Sequence, residues 1–228
     1  MEKILTLANE CLEDPDRLAG MVHFGLFAHN PDVDPVNPTI IIWIYYQAPE
    51  IPKNYIDPLY APAPVAVESS ITDLPGVNSH LGATRDGIAC AKGFSRTLLP
   101  VSLDCYQIPA LRNIVTIFAD LLTEYRNSVM FLEGFPINRV AQIPSDGSAY
   151  PDRHGKLLIS PLLTYAANAS LNAAAWKIGN AIRAALLDGN GEKLKVYVNY
   201  ARGDGEYGRD IWSRGMEGGE VEEAEEGV

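Results

Sequence analysis

The sequence has a shortage of basic residues and no long apolar run, and each shortage excludes a class of partner. Lys and Arg number 18 against 29 Asp and Glu, which gives a formal net charge of −11. Neutralising phosphates requires clustered cations, so no nucleic-acid partner is expected. The longest apolar run, residues 39–46, is far too short to cross a bilayer, so no membrane partner is expected either.

Cysteine and histidine are also scarce, which excludes a disulfide framework and a zinc site. Cys11, Cys90 and Cys105 are odd in number and have no C-x-x-C spacing. The four histidines form no cluster at the spacing of metal ligands, so no metal is expected. The chain opens with Met1, Glu2 and Lys3 rather than with an apolar leader, and we expect a soluble cytoplasmic protein.

Length and composition predict one large domain. The chain has 228 residues, of which 47% are hydrophobic, enough for a sizeable core. Residues 215–228 carry six glutamates and no Lys or Arg. We therefore predict a single unit over residues 1–214 and an acidic, disordered tail over 215–228, with an acidic docking peptide as the alternative for that tail.

Hydrophobic periodicity indicates helices and strands in an order typical of an α+β fold. The patterns predict an irregular, proline-rich segment over 49–75, helices over 4–12, 108–127 and 171–187, and strands over 21–29, 39–47, 129–135, 156–165 and 193–201. Such an order favours a mainly antiparallel sheet with helices packed on one face.

Strand alternation predicts that the second face of this sheet carries aromatic rings and a few polar groups. Trp43 shares a side with Tyr45, Phe131 with Glu133, and Tyr197 with Asn199. Apolar walls with a few placed polar groups are typical of a small-molecule pocket. A face that packs against another protein has the same composition, so both interpretations stay open here.

Three side chains are candidates for acid–base catalysis. Glu133 stands alone in the segment VMFLEGF, where apolar surroundings would raise the pKa of its carboxyl group towards neutrality. His23 lies in an apolar strand, as either a core histidine or a catalyst. Tyr200 ends a strand with a hydroxyl that can hydrogen-bond. Arg153 is a candidate to hold an enolate or carboxylate, and the aromatic residues of the second face are candidates to bind the substrate.

Three segments resemble a known family. They are YVNY (197–200) followed by Tyr207-Gly208, SDGSAYPDRHGKLLI (145–159), and CAKGFSRTLLPVSLDCYQIPALRNIVTIF (90–118). Together they resemble the C-terminal substrate domain of the berberine-bridge-enzyme-like flavin oxidases, especially the fungal FAD-linked oxidoreductases. The resemblance implies that Tyr200 matches a tyrosine serving as catalytic base near the flavin. The family commonly has His where this chain has Asp152.

The resemblance covers only the substrate-domain part of such enzymes. The sequence contains no glycine-rich phosphate-binding loop in a strand–helix context, so we expect no bound cofactor unless a partner chain supplies FAD. Three hypotheses follow. The chain catalyses a non-redox step such as cyclisation, isomerisation or dehydration on a natural-product intermediate; it forms half of a split oxidase with a flavoprotein partner; or it binds without catalysis. In each case apolar surface would be left uncovered, and we expect a homodimer.

Overall fold

The structure, a computed structural model, describes residues 1–84, 90–144 and 153–188, together with Leu194, Lys195, Tyr197 and Tyr200. The helices are α1 (Glu2–Glu13), α2 (Lys53–Ile56), α3 (Leu74–His80), α4 (Ile108–Ala119) and α5 (Asn172–Leu187). The strands are β1 (Met21–Ala28), β2 (Thr39–Tyr46), β3 (Phe94–Leu98), β4 (Val101–Leu103), β5 (Val129–Gly134) and β6 (Leu157–Ala166). The tail, residues 215–228, lies outside the described residues.

The six strands form one antiparallel sheet, which confirms the predicted fold class. Their order is β2–β1–β5–β6–β3, and β4 also pairs with β6. β1 and β2 pair over their whole length, from Met21 opposite Tyr46 to Ala28 opposite Thr39. β5 lies between β1 and β6, so its side chains project from the middle of the sheet.

Helices α1, α4 and α5 pack on one face of the sheet. Their buried residues recur every three or four positions, which is the spacing of one helical face: Leu5, Ala8 and Leu12 in α1, Leu111, Ile114 and Phe118 in α4, and Ala175, Ile182 and Leu186 in α5. They form a continuous core with side chains from β1, β4, β5 and β6, including Phe27, Met130 and Leu132.

The strands place alternate side chains on the two faces as the sequence predicts. In β1, Met21, His23, Gly25 and Phe27 are buried against the helices, and the intervening residues are half-buried. The side chains of the second face are half-buried along β1 and β2, whereas Ser160 of β6 is fully buried. This second face therefore runs from an accessible end to an enclosed end.

Helix α4 is shorter than its apolar pattern suggests. It ends at Ala119, and Thr123–Tyr125 continue as a 3-10 turn. Tyr125 is nevertheless buried, and its hydroxyl donates a hydrogen bond of 2.8 Å to the carbonyl of Leu171. Leu121 and Tyr125 thus remain in the core after the α-helix has stopped, whereas Leu122 is exposed, and periodicity alone overestimates the length of the helix.

Strands β3 and β4 are absent from the sequence-based prediction. They contain five and three residues and are separated by Leu99 and Pro100. Segments this short have too few residues for alternation to be recognised, and β3 contains Ser95, Arg96 and Thr97 in succession. Pairing with the long strand β6 is what makes them strands.

The segment predicted as the last strand is described at Leu194, Lys195, Tyr197 and Tyr200. The carbonyl of Lys195 accepts a hydrogen bond from the N–H of Ser102 at 3.1 Å, so Lys195 lies beside β4. The N–H of Tyr200 donates to the carbonyl of Tyr197 at 2.9 Å, and Tyr200 lies in 3-10 conformation rather than in a strand. The other positions of the predicted strand lie outside the described residues.

Candidate functional site

Glu133 projects from the central strand onto the second face of the sheet. In the register it lies between Phe24 of β1 and Leu158 of β6. Only 8% of Glu133 is exposed. Apolar neighbours on both sides and little contact with water are the conditions that penalise a charged carboxylate.

Burial raises the pKa of Glu133 to about 7, and the hydrogen bond from Tyr200 opposes this rise. A carboxyl group with such a pKa exchanges its proton readily near neutral pH, which is what a general acid or base needs. One of its oxygens, Oε2, is buried and accepts no hydrogen bond from any residue that the structure describes. A buried acceptor without a partner is costly in a folded protein and marks a position where a ligand or water completes the site.

Tyr200 is brought to Glu133 from the other side of β6. Its hydroxyl donates to Oε1 of Glu133 at 3.4 Å, a long and therefore weak bond. Burial, followed by the neighbouring Glu133, raises the pKa of Tyr200 to about 12, so this hydroxyl stays protonated at neutral pH. Tyr197 supports it with an edge-on ring contact, centroids 5.2 Å apart. Asn199 lies outside the described residues.

Aromatic rings extend the second face away from Glu133. Phe24 lies between Trp43 and Phe131, with ring centroids 5.7 Å apart in both pairs. The three rings are tilted and half-buried. Tyr45 is on the same side of β2 as Trp43, and its buried hydroxyl has no hydrogen-bond partner. The structure thus collects the predicted aromatic residues on the face that carries Glu133.

Ser160 is a polar residue of this face that the sequence analysis missed. It lies directly opposite Phe131 and one same-face position from Leu158, the partner of Glu133. Its side chain is fully buried, and its hydroxyl makes no hydrogen bond. The sequence signal was a single hydroxyl at an alternate position of the apolar strand LLISPLL. Together, the Ser160 hydroxyl and Oε2 of Glu133 give the enclosed end of the face two buried polar atoms without a hydrogen-bond partner among the described residues.

His23 lies on the opposite face from Glu133 and Tyr200. It is opposite Gly134 in the register and is 7% exposed beneath α1. Burial, with a smaller contribution from Arg17, lowers its pKa to about 4, so the ring is neutral at pH 7. His23 and Glu133, both candidates for acid–base catalysis, therefore do not meet. Glu133 is paired with Phe24, the next residue after His23, and successive residues of a strand point to opposite faces.

Arg153, the candidate to hold an enolate or carboxylate, is buried at 7% exposure and lies just before β6. The His29 side chain contacts the end of α4, with Nε2 lying 2.6 Å from the carbonyl oxygen of Phe118.

Among the described residues, no group of three or more His, Cys, Asp or Glu side chains can hold a metal ion. No helix in the same part of the chain is long and apolar enough to cross a membrane.

Two concavities of the described surface lie away from Glu133. A small cavity on the helix-covered face is lined by side chains that include Leu5, His23 and Tyr106. A groove between α1 and residues 54–59 is lined partly by Cys11, Asp14 and Tyr55, and the Tyr55 hydroxyl donates to Asp14 at 3.0 Å. Neither brings the predicted site residues together.

Fungal proteins are similar to this chain in sequence. FAD-linked oxidoreductase chry5 of Gibberella zeae is 26% identical over 218 residues, covering 91% of this chain and 43% of the relative. FAD-linked oxidoreductase chyH of Penicillium rubens is 25% identical over 203 residues, covering 84% and 41%. The chain thus spans less than half the length of the curated relatives it matches. No protein-family model matches it.

Solved structures share the fold. The flavoenzyme CrmK superimposes with a TM-score of 0.65 at 14% identity, covering 92% of this chain and 46% of the other. BBE-like protein 28 of Arabidopsis thaliana superimposes with a TM-score of 0.62 at 12% identity, covering 88% and 43%. The chain is a partial homologue of the fungal FAD-linked oxidoreductases and has the fold of the berberine-bridge-enzyme-like proteins.

Proposed function

We propose that this chain binds a small organic molecule on the second face of the sheet and transfers protons to and from it through Glu133. The observation that carries the proposal is the buried Oε2 of Glu133, which has no hydrogen-bond partner among the described residues. The pKa of this carboxyl group, about 7, suits it to exchange a proton at neutral pH. The half-buried rings of Phe24, Trp43 and Phe131 lie on the same face and extend from Glu133 towards β2. The substrate class that this arrangement favours is a largely apolar molecule with an acidic C–H or O–H group.

The chemistry assigned to the chain itself is a non-redox isomerisation or cyclisation. Glu133 as carboxylate removes a proton next to a carbonyl group, and the resulting carboxylic acid returns a proton to another atom of the same substrate. Substrate and product are then isomers, and no electron acceptor is needed. Tyr200 stays protonated and donates a hydrogen bond to Oε1, which orients the carboxyl group and stabilises its charged form. Dehydration differs only in that the returned proton leaves with a hydroxyl as water.

No step of this proposal involves flavin, because none of the three longest helices in the described part of the chain begins at a glycine-rich turn. A diphosphate is commonly bound where a glycine-rich turn opens a helix. Among the described residues, α1 has Glu2 in its first turn, α4 has Pro109, and α5 continues from the 3-10 turn Ala169–Leu171. None of these three helix starts offers such a turn.

A second candidate function is that this chain supplies the substrate face of an oxidase whose flavin is held elsewhere. The observation in its favour is that the relatives are named FAD-linked oxidoreductases and are more than twice as long as the part matched here. In that case Glu133 and Tyr200 act on the proton while the flavin of a partner accepts the electrons.

The experiment measures proton exchange, which does not require the product to be known. Full-length chain is incubated anaerobically in D₂O with a panel of enolisable ketones and hydroxylated aromatic compounds, and deuterium uptake is followed by NMR. We expect Glu133→Gln to lower the exchange rate by about 10²-fold or more, and Tyr200→Phe to lower it less. Glu124→Gln, at an exposed glutamate, is the matched control and should leave the rate unchanged.

The outcomes separate the candidates. Exchange that is unaffected by Glu133→Gln contradicts the role of this carboxyl group. Turnover that requires oxygen and an added flavoprotein supports the second candidate over the first. Binding of panel compounds without exchange or turnover supports a non-catalytic binding domain.

A further inference from the structure

The outer edge of β2 is an unpaired sheet edge. β2 stands at one end of the strand order and pairs with β1 over all eight residues. Within the part of the chain that the structure describes, no backbone hydrogen bond joins Thr39–Tyr46 to any element other than β1. The N–H and C=O groups that point away from β1 are thus available to another strand.

This edge has none of the features that normally prevent pairing with another chain. Natural edge strands are short, carry lysine or proline, or are interrupted by a bulge. β2 reads TIIIWIYY, with no charged residue and no proline. Its register with β1 is continuous, and all eight of its residues are half-buried. Such a strand is a template for pairing.

We propose that β2 pairs antiparallel with β2 of a second copy of this chain, about a two-fold axis, so that the two sheets become one. A second copy is the occupant that fits, because self-pairing of an uncharged strand brings no like charges together. Each residue of one β2 then faces a residue at another position of the second β2, and the two-fold axis repeats every such contact. The half-buried side chains on both faces of β2 gain cross-strand neighbours and become more buried.

The other end of the sheet explains why this association stops at a dimer. In the described part of the chain, that end is formed by β3 and β4, of five and three residues, and Ser102 of β4 is already bonded to Lys195. The guanidinium of Arg96 in β3 donates to the carbonyl of Ala91 and lies 5.8 Å from the ring centroid of Phe94. Among the described strands, β2 alone forms a long uncharged edge, so a two-fold pairing uses the edges of both copies and closes the assembly.

The test combines light scattering with amide hydrogen exchange on the full chain. We expect a dimer at micromolar concentration, and slower exchange of amides within residues 39–46 in concentrated than in diluted samples. A single-chain mass at all concentrations would overturn the proposal. So would a dimer whose concentration-dependent protection lies outside residues 39–46, since another surface would then form the contact.

Two lysine substitutions give a matched comparison. Ile41→Lys introduces a charge on β2, and Phe94→Lys makes the same kind of change on β3 at the opposite end of the sheet. We expect Ile41→Lys to lose the dimer and Phe94→Lys to retain it, with circular dichroism verifying that both are folded. A folded Ile41→Lys chain that remains dimeric contradicts edge pairing, and the exchange experiment on the unmodified chain decides the matter if Ile41→Lys does not fold.

Discussion

Glu133 owes its chemical character to side chains from other elements. Phe24 and Leu158 flank it in the register, and the Tyr200 hydroxyl reaches it from a segment 67 residues away in sequence. Burial raises its pKa, and the single hydrogen bond from Tyr200 only partly offsets this. A proton-transfer group near pH 7 is thus produced by placing an ordinary carboxyl group in the middle of a sheet.

Glu133 predicts a pH dependence of stability. Its folded pKa, about 7, lies above the ordinary 4.5, so between these values the folded chain holds a proton that the unfolded chain releases. The free energy of unfolding therefore falls as pH rises through this window and stays low above it. Since one pKa unit corresponds to 1.36 kcal/mol, the fall amounts to about 3 kcal/mol.

The measurement is urea unfolding at a series of pH values. Glu133→Gln stays uncharged, so we expect it to equal the unmodified chain at about pH 4 and to be more stable by about 3 kcal/mol at about pH 8. Glu124→Gln, at an exposed position, should follow the unmodified chain throughout. Parallel curves for Glu133→Gln and the unmodified chain would contradict the raised pKa.

At the scale of elements, the contact of α5 with the β3–β4 connection depends on the absence of a side chain. Gly179 is buried within α5, and a Cβ atom there would collide with the side chain of Leu99, which is fully buried. Glycine in a helix interior costs about 1 kcal/mol relative to alanine. The close approach of helix and sheet offsets that cost.

Gly179→Ala should therefore destabilise the fold although alanine is the better helix former. We expect a loss of about 1–3 kcal/mol in the free energy of unfolding, because overpacking displaces Leu99. Asn180→Ala, at an exposed position in the same helix, is the matched control and should be neutral or slightly stabilising. The double variant Gly179→Ala/Leu99→Ala should lose less than the sum of the two single changes. A stabilised Gly179→Ala would refute the proposed contact.

At the scale of the whole molecule, one core joins α1, α4, α5 and the sheet. Leu5, Phe118 and Ile182 come from three different helices and belong to the same buried cluster. A protein with a single continuous core is expected to unfold in one cooperative transition. The described residues of the sheet and the helices should therefore lose structure together.

Phe118→Ala tests this cooperativity. Phe118 is fully buried, so we expect a loss of about 3–5 kcal/mol, with the far-ultraviolet and near-ultraviolet circular dichroism transitions moving together. Val115→Ala, at a half-buried position of the same helix, should move both transitions by less. Two separated transitions in Phe118→Ala would indicate that the helices and the sheet unfold independently.

Much of the fold could be predicted from local patterns. β2 is a run of β-branched and aromatic residues, β1 alternates between the two faces, and α5 repeats at helical spacing, so their bounds agree with the prediction within one or two residues. β3 and β4 were missed because pairing with β6, rather than their own composition, makes them strands. The 3-10 conformation of Tyr200 was missed because nothing in the alternation of that segment marks a turn.

The candidate site was predicted in composition but not in arrangement. Alternation correctly put Trp43 with Tyr45 and Phe131 with Glu133, since neighbouring positions in a strand point to opposite faces. It could not separate His23 from Glu133, because the relative alignment of β1 and β5 is set by pairing across about 110 residues of chain. Ser160 gave no signal until its hydroxyl was seen to be buried without a partner.

The sequence by itself determined which segments are helices and strands, which of their sides are apolar, and that a lone carboxylic acid sits among apolar residues, because these properties depend on neighbours a few positions away. Only the tertiary structure decided that Tyr200 meets Glu133, that His23 does not, and that β2 is left at an open edge. Those outcomes depend on strand order and register, which bring together residues that are distant in the chain.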